Sequence, residues 1–428
     1  MRFTRILHRS NLYYLRKRTW KKQAKIEIPP LVIPPAWKNK NVEDPNEWFV
    51  KKEPEWIPSV KDDPRFSSPP LDPDYHENEI MYEFNNSTKI LEGEAQALIL
   101  TKSQRNEGMP EPVTRAKGLI TIPDQDKLMQ RYIMQSHWWD PTKEKLAKRK
   151  TDLVLWRYKA EFGIPPEKMT SIFLRNLVRL LNLSGSEHKQ FIDERRTTYQ
   201  HHVSAQYPFQ DNTIWTRFVS EVAVSGEDPL PRFTSSENVH KTIDDKLPDI
   251  YPISPMVDLK RQHIWRIENN TGWISNFNYQ APHIIFINNN NKGIYEHTDS
   301  WKIGQNNARA LMTCMAHATA FAKFQYGTDV KILPQPICVQ AVHSDSVNLN
   351  FVFFQLNTLD LTSVETGIKN QVWFDSNNAL IERHEPKRSM LRNTRLLNYD
   401  PEVLRKMLAV YAYGMLDGSE KSRIASKN

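Results

Sequence analysis

From Pro166 to Leu183 the apolar residues Met169, Ile172, Phe173, Leu177, Leu180 and Leu181 fall on one side of a 3.6-residue repeat, which predicts an amphipathic helix with Gly185 as its stop. Helical spacing also follows Ser87 and Thr88, through Ile90, Leu91, Ala95, Leu98 and Ile99, with either hydroxyl residue as the expected N-cap. Residues 85–225 therefore read as mainly helical. Gly, Pro, Ser and acidic residues gather between Ser225 and Ser254, and a lobe boundary is expected there. Beyond it the period shortens. His263–Ile267, His283–Ile287, Ile337–Val342, Leu349–Leu356 and Gln371–Phe374 are rich in β-branched and aromatic residues and read as strands. Asn288 to Gly293 is a turn signal, and His343-Ser344-Asp345-Ser346 separates two strands expected to pair as a hairpin.

Two further helices complete the C-terminal half. One spans about Asn306–Tyr326, with Leu311, Met315, Ala318 and Ala322 along a face and Gly327 as its stop. The other begins with Asp400 as N-cap, Pro401 at the first position and Glu402 in the first turn, and continues through Leu404, Met407, Leu408, Tyr411 and Met415. The expected class is α+β: a helical N-terminal part, then a largely antiparallel sheet covered by helices. Residues 226–416 would form the α+β part and residues 417–428 a flexible tail.

Ahead of these elements the pattern has no period. Residues 28–73 hold 11 of the 28 prolines, which excludes a regular helix or a central strand, so residues 27–84 read as an extended arm. Large rings recur along it, unlike the composition of disordered chains. Trp37, Trp48, Trp56 and Phe66 are candidate docking anchors, for the protein's own body or for a neighbour.

Charge changes the picture of the first 26 residues. They carry nine Lys/Arg and no acid, whereas the whole chain has 58 basic and 50 acidic side chains. The net charge of +8 thus belongs to this leader, and the remainder is close to neutral. Interspersed apolar residues give it the composition of a mitochondrial presequence, and Arg16, Lys17 and Arg18 interrupt the apolar stretch too early for a secretory signal. A retained basic arm on nucleic-acid phosphates is the competing reading. Cleavage before Arg16 would leave six of the nine charges in place.

Candidate chemistry is sparse. Cys314 and Cys338 are too few for a disulfide framework or a thiolate zinc site. The most apolar stretch, Ala308 to Phe324, contains Arg309, His317 and Lys323, so no membrane insertion is expected. No glycine-rich phosphate loop, nucleophile elbow or H-E-x-x-H motif occurs, and no cofactor is expected. His317 lies one turn after Cys314, which permits a thiol–imidazole pair but identifies no orienting acid. His201 and His202 are adjacent and must diverge, and a polar surface pair is expected. The strand Asn350–Leu356 is aromatic without positive charge, unlike an RNA-stacking strand. Basic runs do occur, at Lys143, Lys145, Lys148, Arg149 and Lys150, which are candidate rRNA phosphate contacts, and at Lys387, Arg388, Arg392 and Arg395.

The least generic stretches are Asp63-Pro-Arg-Phe-Ser-Ser-Pro-Pro-Leu71, Leu91-Glu-Gly-Glu-Ala-Gln-Ala-Leu98, Asp228-Pro-Leu-Pro231, Tyr251-Pro-Ile-Ser-Pro-Met-Val-Asp-Leu259, Asn270-Thr-Gly272, Gln335-Pro-Ile-Cys-Val-Gln340, Phe354-Gln-Leu-Asn-Thr-Leu-Asp-Leu361 and Lys369-Asn-Gln-Val-Trp-Phe-Asp-Ser376. In this order they resemble the family of mitochondrial large-ribosomal-subunit proteins numbered thirty-seven. The resemblance runs from Asp63 to the last helix, while the leader and much of the arm match only in character. It implies a mitochondrion-specific structural ribosomal protein without catalytic activity, in the mitochondrial matrix. Its implied partners are other large-subunit proteins, a paralogue formerly numbered thirty in the small-subunit series as a heterodimer, and large-subunit rRNA. Two alternatives stay open: an RNA-binding ribosome assembly factor, and a soluble matrix enzyme using Cys314 and His317.

Overall fold

In the computed structural model, which describes residues 80–138, 144–145, 162–186, 188–263, 269–290, 303–384 and 396–415, the strand Leu349–Thr358 is buried along its whole length. Val352, Phe354 and Leu356 enter one apolar core, while Phe351 and Phe353 enter a second on the opposite face. A strand covered on both faces needs apolar residues at every position, which is why the sequence shows a continuous run there. Full burial of each such ring is worth about 1.5–3 kcal/mol.

The strand is one of nine in a mixed sheet. In chain order these are β1 (Ile80–Asn85), β2 (Ser103–Glu107), β3 (Arg195–Phe209), β4 (Asn212–Gly226), β5 (Lys260–His263), β6 (Ala281–Asn288), β7 (Ile332–Ser344), β8 (Leu349–Thr358) and β9 (Asn370–Asp375). The order across the sheet is β2-β9-β8-β7-β6-β4-β1-β5, with β3 along the other side of β4. Five of the eight pairings are antiparallel; β1–β4, β6–β7 and β9–β2 are parallel. The expected hairpin joins β7 to β8, with Ser344 opposite Leu349. Asp345 closes its turn by accepting from the Val347 and Asn348 amides.

Helices α1 (Glu94–Leu100) and α4 (Ile303–Tyr326) cover the first core, and α2 (Gln125–Trp138), α3 (Pro166–Asn182) and α5 (Pro401–Ala412) the second. Helix α4 is buried from Ala308 to Ala322, and Gly327 ends it at φ 95°. Asp400 caps α5 through the Glu402 amide, and Pro401 opens the helix, as the sequence predicts.

Several expectations are corrected. Ser87 and Thr88 do not cap a helix: the Ser87 amide and hydroxyl donate to Asn85 Oδ1, closing a turn, and Gly93 at φ 59° delays α1 to Glu94. Gly185 does not stop the helix directly: it sits inside a 3-10 turn, Leu183–Ser186, beside the exposed Ile192 side chain. The helical reading of residues 85–225 fails for β3 and β4, the two longest strands. The stretch after Ser225 separates no sheets, since β4 pairs directly with β6. Its short helix Ser236–Lys241 and following turn are tied to β9 by the buried Lys369 ammonium, which donates to the Thr242 and Ile243 carbonyls at 3.0 Å. The expected strand His263–Ile267 is described only at His263, the last residue of β5. The leader, most of the arm and the tail, residues 417–428, lie outside the described residues.

Candidate functional site

Cys314 and His317 do lie one turn apart on α4, but both point into packed interior. Burial raises the Cys314 thiol far above its ordinary value. His317 is held neutral by burial and by His201, whose ring stacks on it at 5.5 Å. His317 Nε2 lies 3.4 Å from the Ser220 hydroxyl. His201 places Nε2 2.9 Å from the Thr271 carbonyl; a carbonyl only accepts, so that nitrogen carries the proton. Burial pushes His201 down to about 4. The two adjacent histidines diverge, but only His202 reaches the surface: His201 turns inward against Trp273 and His317. A nucleophile needs a thiolate and an accessible base. These residues supply neither.

A second polar group is built on β7. His343 accepts at Nδ1 from the Asn289 amide and donates from Nε2 to Asn307 Oδ1, at 3.0 and 2.9 Å. The Asn307 amide in turn donates to Glu94 and to Ser376. This chain fixes α1, α4 and β7 to one another, and burial beside Arg309 pushes His343 down to about 3. Asp375, at the end of β9, accepts from the Lys406 ammonium at 2.8 Å and anchors α5. Asp375 thus has a structural partner, as Asp345 does in the β7–β8 turn.

One open feature is a cavity of about 690 Å³ beside the β3–β4 ribbon, lined in part by Glu167, Gln200, His202, Arg217, Glu221 and Arg309. Gln200, in its lining, has φ 52°, and the inward and outward faces of β3 reverse there. Before it, Arg195 is buried toward α5; after it, Val203, Ala205 and Tyr207 enter the first core and His202 faces out. Glu221 accepts from Ser171, from Arg175 at 2.9 Å and from Gln200 at 2.9 Å. Its charge is thereby matched. Arg175 lies over the Tyr199 ring at 5.7 Å and Arg217 over the Trp215 ring at 5.2 Å.

Of the sequence-derived candidates, Trp37, Trp48, Trp56 and Phe66 lie outside the described residues, as do Lys143, Lys148, Arg149 and Lys150. Lys145 is described only as backbone, paired with Phe162 in a two-residue ribbon. Among the described residues no group of three or more His, Cys, Asp or Glu is placed to hold a metal, and no helix is long and apolar enough to cross a membrane. Sequence reasoning missed the β3–β4 face; its available signal was the alternation of Thr213, Trp215, Arg217 and Val219 with Ile214, Thr216 and Phe218.

A body whose singled-out titratable groups tie its elements together, and whose open face carries arginines and aromatic rings, belongs to the class of proteins that work through their surfaces. The comparisons agree. The chain is 30% identical over 362 residues to large ribosomal subunit protein mL37 of Rattus norvegicus, covering 82% of this chain and 80% of the rat protein. It is 29% identical over 374 residues to mL37 of Bos taurus, covering 86% and 82% of the two chains. Against mL37 of Gallus gallus the figures are 28% over 334 residues, 76% and 72%. No family model matches. The chain belongs to the mL37 family of mitochondrial large-subunit ribosomal proteins, a family of structural components and not of enzymes.

Proposed function

We propose that the chain is a structural constituent of the mitochondrial large ribosomal subunit, supporting mitochondrial translation and held by protein contacts with limited rRNA contacts. The observation that carries this reading is the extent of the similarity: it covers four-fifths of the rat mL37 protein, not a module shared among unrelated chains. The near-neutral charge of residues 27–428 supports the balance of contacts. A protein embedded in rRNA ordinarily keeps a strong positive excess, because phosphate neutralisation releases counterions. The site of action is the mitochondrial matrix, reached through the basic leader.

Three finer elements belong to this reading. Residues 28–73 wrap a neighbouring protein, with Trp37, Trp48, Trp56 and Phe66 as anchors; rings of this kind dominate interface energetics. Lys143, Lys145, Lys148, Arg149 and Lys150 contact rRNA phosphates. The principal protein partner is the family's paralogue, as a heterodimer.

Sucrose-gradient sedimentation of a mitochondrial lysate in high salt tests residency. The chain is expected to travel with the large subunit and with complete ribosomes. Peaks confined to precursor particles would instead identify an assembly factor.

A further inference from the structure

We propose that the open face of the β3–β4 ribbon is a binding site for a single-stranded segment of RNA, with one nucleotide seated in the cavity and its neighbours stacked on the flanking arginine–aromatic pairs. The inference rests on the ribosomal reading and gives it a location.

Single-stranded RNA is recognised by rings or guanidinium planes that stack on bases, cations that follow the backbone, and a recess that reads a splayed base. All three converge on one face. Strand register places His202 opposite Val219, Ser204 opposite Arg217 and Gln206 opposite Trp215, all on the side away from the first core. Tyr199 shares that side through the reversal at Gln200 and is 45% exposed. Arg175–Tyr199 and Arg217–Trp215 are thus two cation-on-ring pairs at the cavity's margins: Gln200 and Glu221 connect the first to the lining, and Arg217 itself lines it.

The volume, about 690 Å³, falls in the range of roughly 300–1,000 Å³ typical of small-ligand pockets. Its walls offer a base both donors and acceptors: the His202 imidazole, the Glu167 carboxylate and the Gln200 amide. The lining sets two acids, Glu167 and Glu221, beside two guanidiniums, Arg217 and Arg309, and Arg175 brings a third guanidinium to Glu221. Arg175 already neutralises Glu221, whereas the Arg217 side chain is 58% exposed and meets Glu83 only at 3.5 Å. Arg309 adds a buried cation to the lining, with Nη2 donating to the Asn288 carbonyl at 3.0 Å. On the helix above, Arg179 is exposed one turn beyond Arg175 and continues the positive track.

The test is ultraviolet cross-linking of intact mitochondrial large subunits, followed by digestion and mass spectrometry. Nucleotide adducts are expected on the peptides bearing Tyr199 or Trp215. In subunits carrying Tyr199→Ala with Arg217→Glu, adduct yield should fall about tenfold, and a short rRNA stretch should become reactive to base-modifying reagents. If wild-type subunits contain the chain but these peptides carry no nucleotide and join to a neighbouring protein under chemical cross-linkers, the RNA site is wrong while the ribosomal reading survives. Absence of the chain from large subunits overturns both.

Discussion

Arg195 on β3 donates from Nε to Nδ1 of His283 on β6, 3.0 Å away, so this histidine must carry its proton on Nε2, which donates to the Asp228 carbonyl at 2.7 Å. The same guanidinium donates to the Tyr411 carbonyl and, at 2.8 Å, to that of Tyr413. One buried cation therefore joins two strands to the carboxyl end of α5, where the helix dipole favours it. Burial lowers the guanidinium to about 10, which leaves it charged.

Arg195→Lys is expected to cost on the order of 3 kcal/mol, because a single ammonium cannot reproduce a three-way planar fork and strands buried acceptors. Gly226→Ala acts on the same pair from the other side: its Cβ would stand 2.2 Å from Cε1 of His283 and force the ring off Arg195. A loss of about 1–3 kcal/mol is expected. Denaturant midpoints measure both. A neutral Gly226→Ala would show that the ring has room the packing denies it.

Acid sensitivity follows from four histidines held neutral. His201 is lowered to about 4, His283 and His343 to about 3, and His317 well below its ordinary range, in each case chiefly by burial. Below about pH 6.5 the unfolded chain binds protons that these native rings refuse. Their stabilisation is complete above that pH and is lost as pH falls toward 4 and then 3. Each neutral ring contributes a slope of about 1.4 kcal/mol per pH unit in that window. Melting temperatures taken from pH 7 to pH 4.5 should fall steeply, and His343→Gln should flatten the slope by one proton. Indifference to pH would mean that the rings charge inside the fold.

What the sequence disclosed and what it concealed have a common cause. Strands β6 to β9 were legible because they are apolar or β-branched through most of their length, and α3, α4 and α5 because their stripes and caps are regular. Strand β3 was not: Arg195-Arg-Thr-Thr-Tyr-Gln-His-His is polar, and the reversal at Gln200 breaks the two-residue period. The β3–β4 turn is equally quiet. Phe209 pairs with Asn212 across Gln210-Asp211, with Gln210 at φ 50° where turn chemistry favours Gly or Asn. The surface beside the ribbon was hidden with it. Arg195 illustrates the same limit, because nothing local marks a residue whose partners lie 88, 216 and 218 positions away.

The two cysteines separate the structural role from a thiol enzyme. Burial pushes Cys338 up to about 12 and Cys314 higher, so neither forms a reactive thiolate near neutral pH. A chromogenic disulfide reagent should label neither thiol in the native protein and both in denaturant. Cys314→Ala should cost about 1 kcal/mol through a small cavity and leave mitochondrial translation intact. Rapid native labelling of Cys314 would revive the enzyme.

The Pro-rich arm makes the last prediction, and its two roles give opposite signatures. If Trp37, Trp48 and Trp56 anchor a neighbour, deleting residues 28–73 behind an intact leader leaves the body's melting temperature unchanged and shifts the chain from the large subunit to the top of the gradient. An arm packed on its own body would give the reverse, with lower melting and retained sedimentation. Single alanine substitutions refine the assignment. A tryptophan worth about 2 kcal/mol in an interface weakens association roughly thirtyfold, enough to appear as partial loss from subunits washed in high salt. Undiminished incorporation of the deletion would remove the arm from the docking mechanism and leave the folded body to hold the particle.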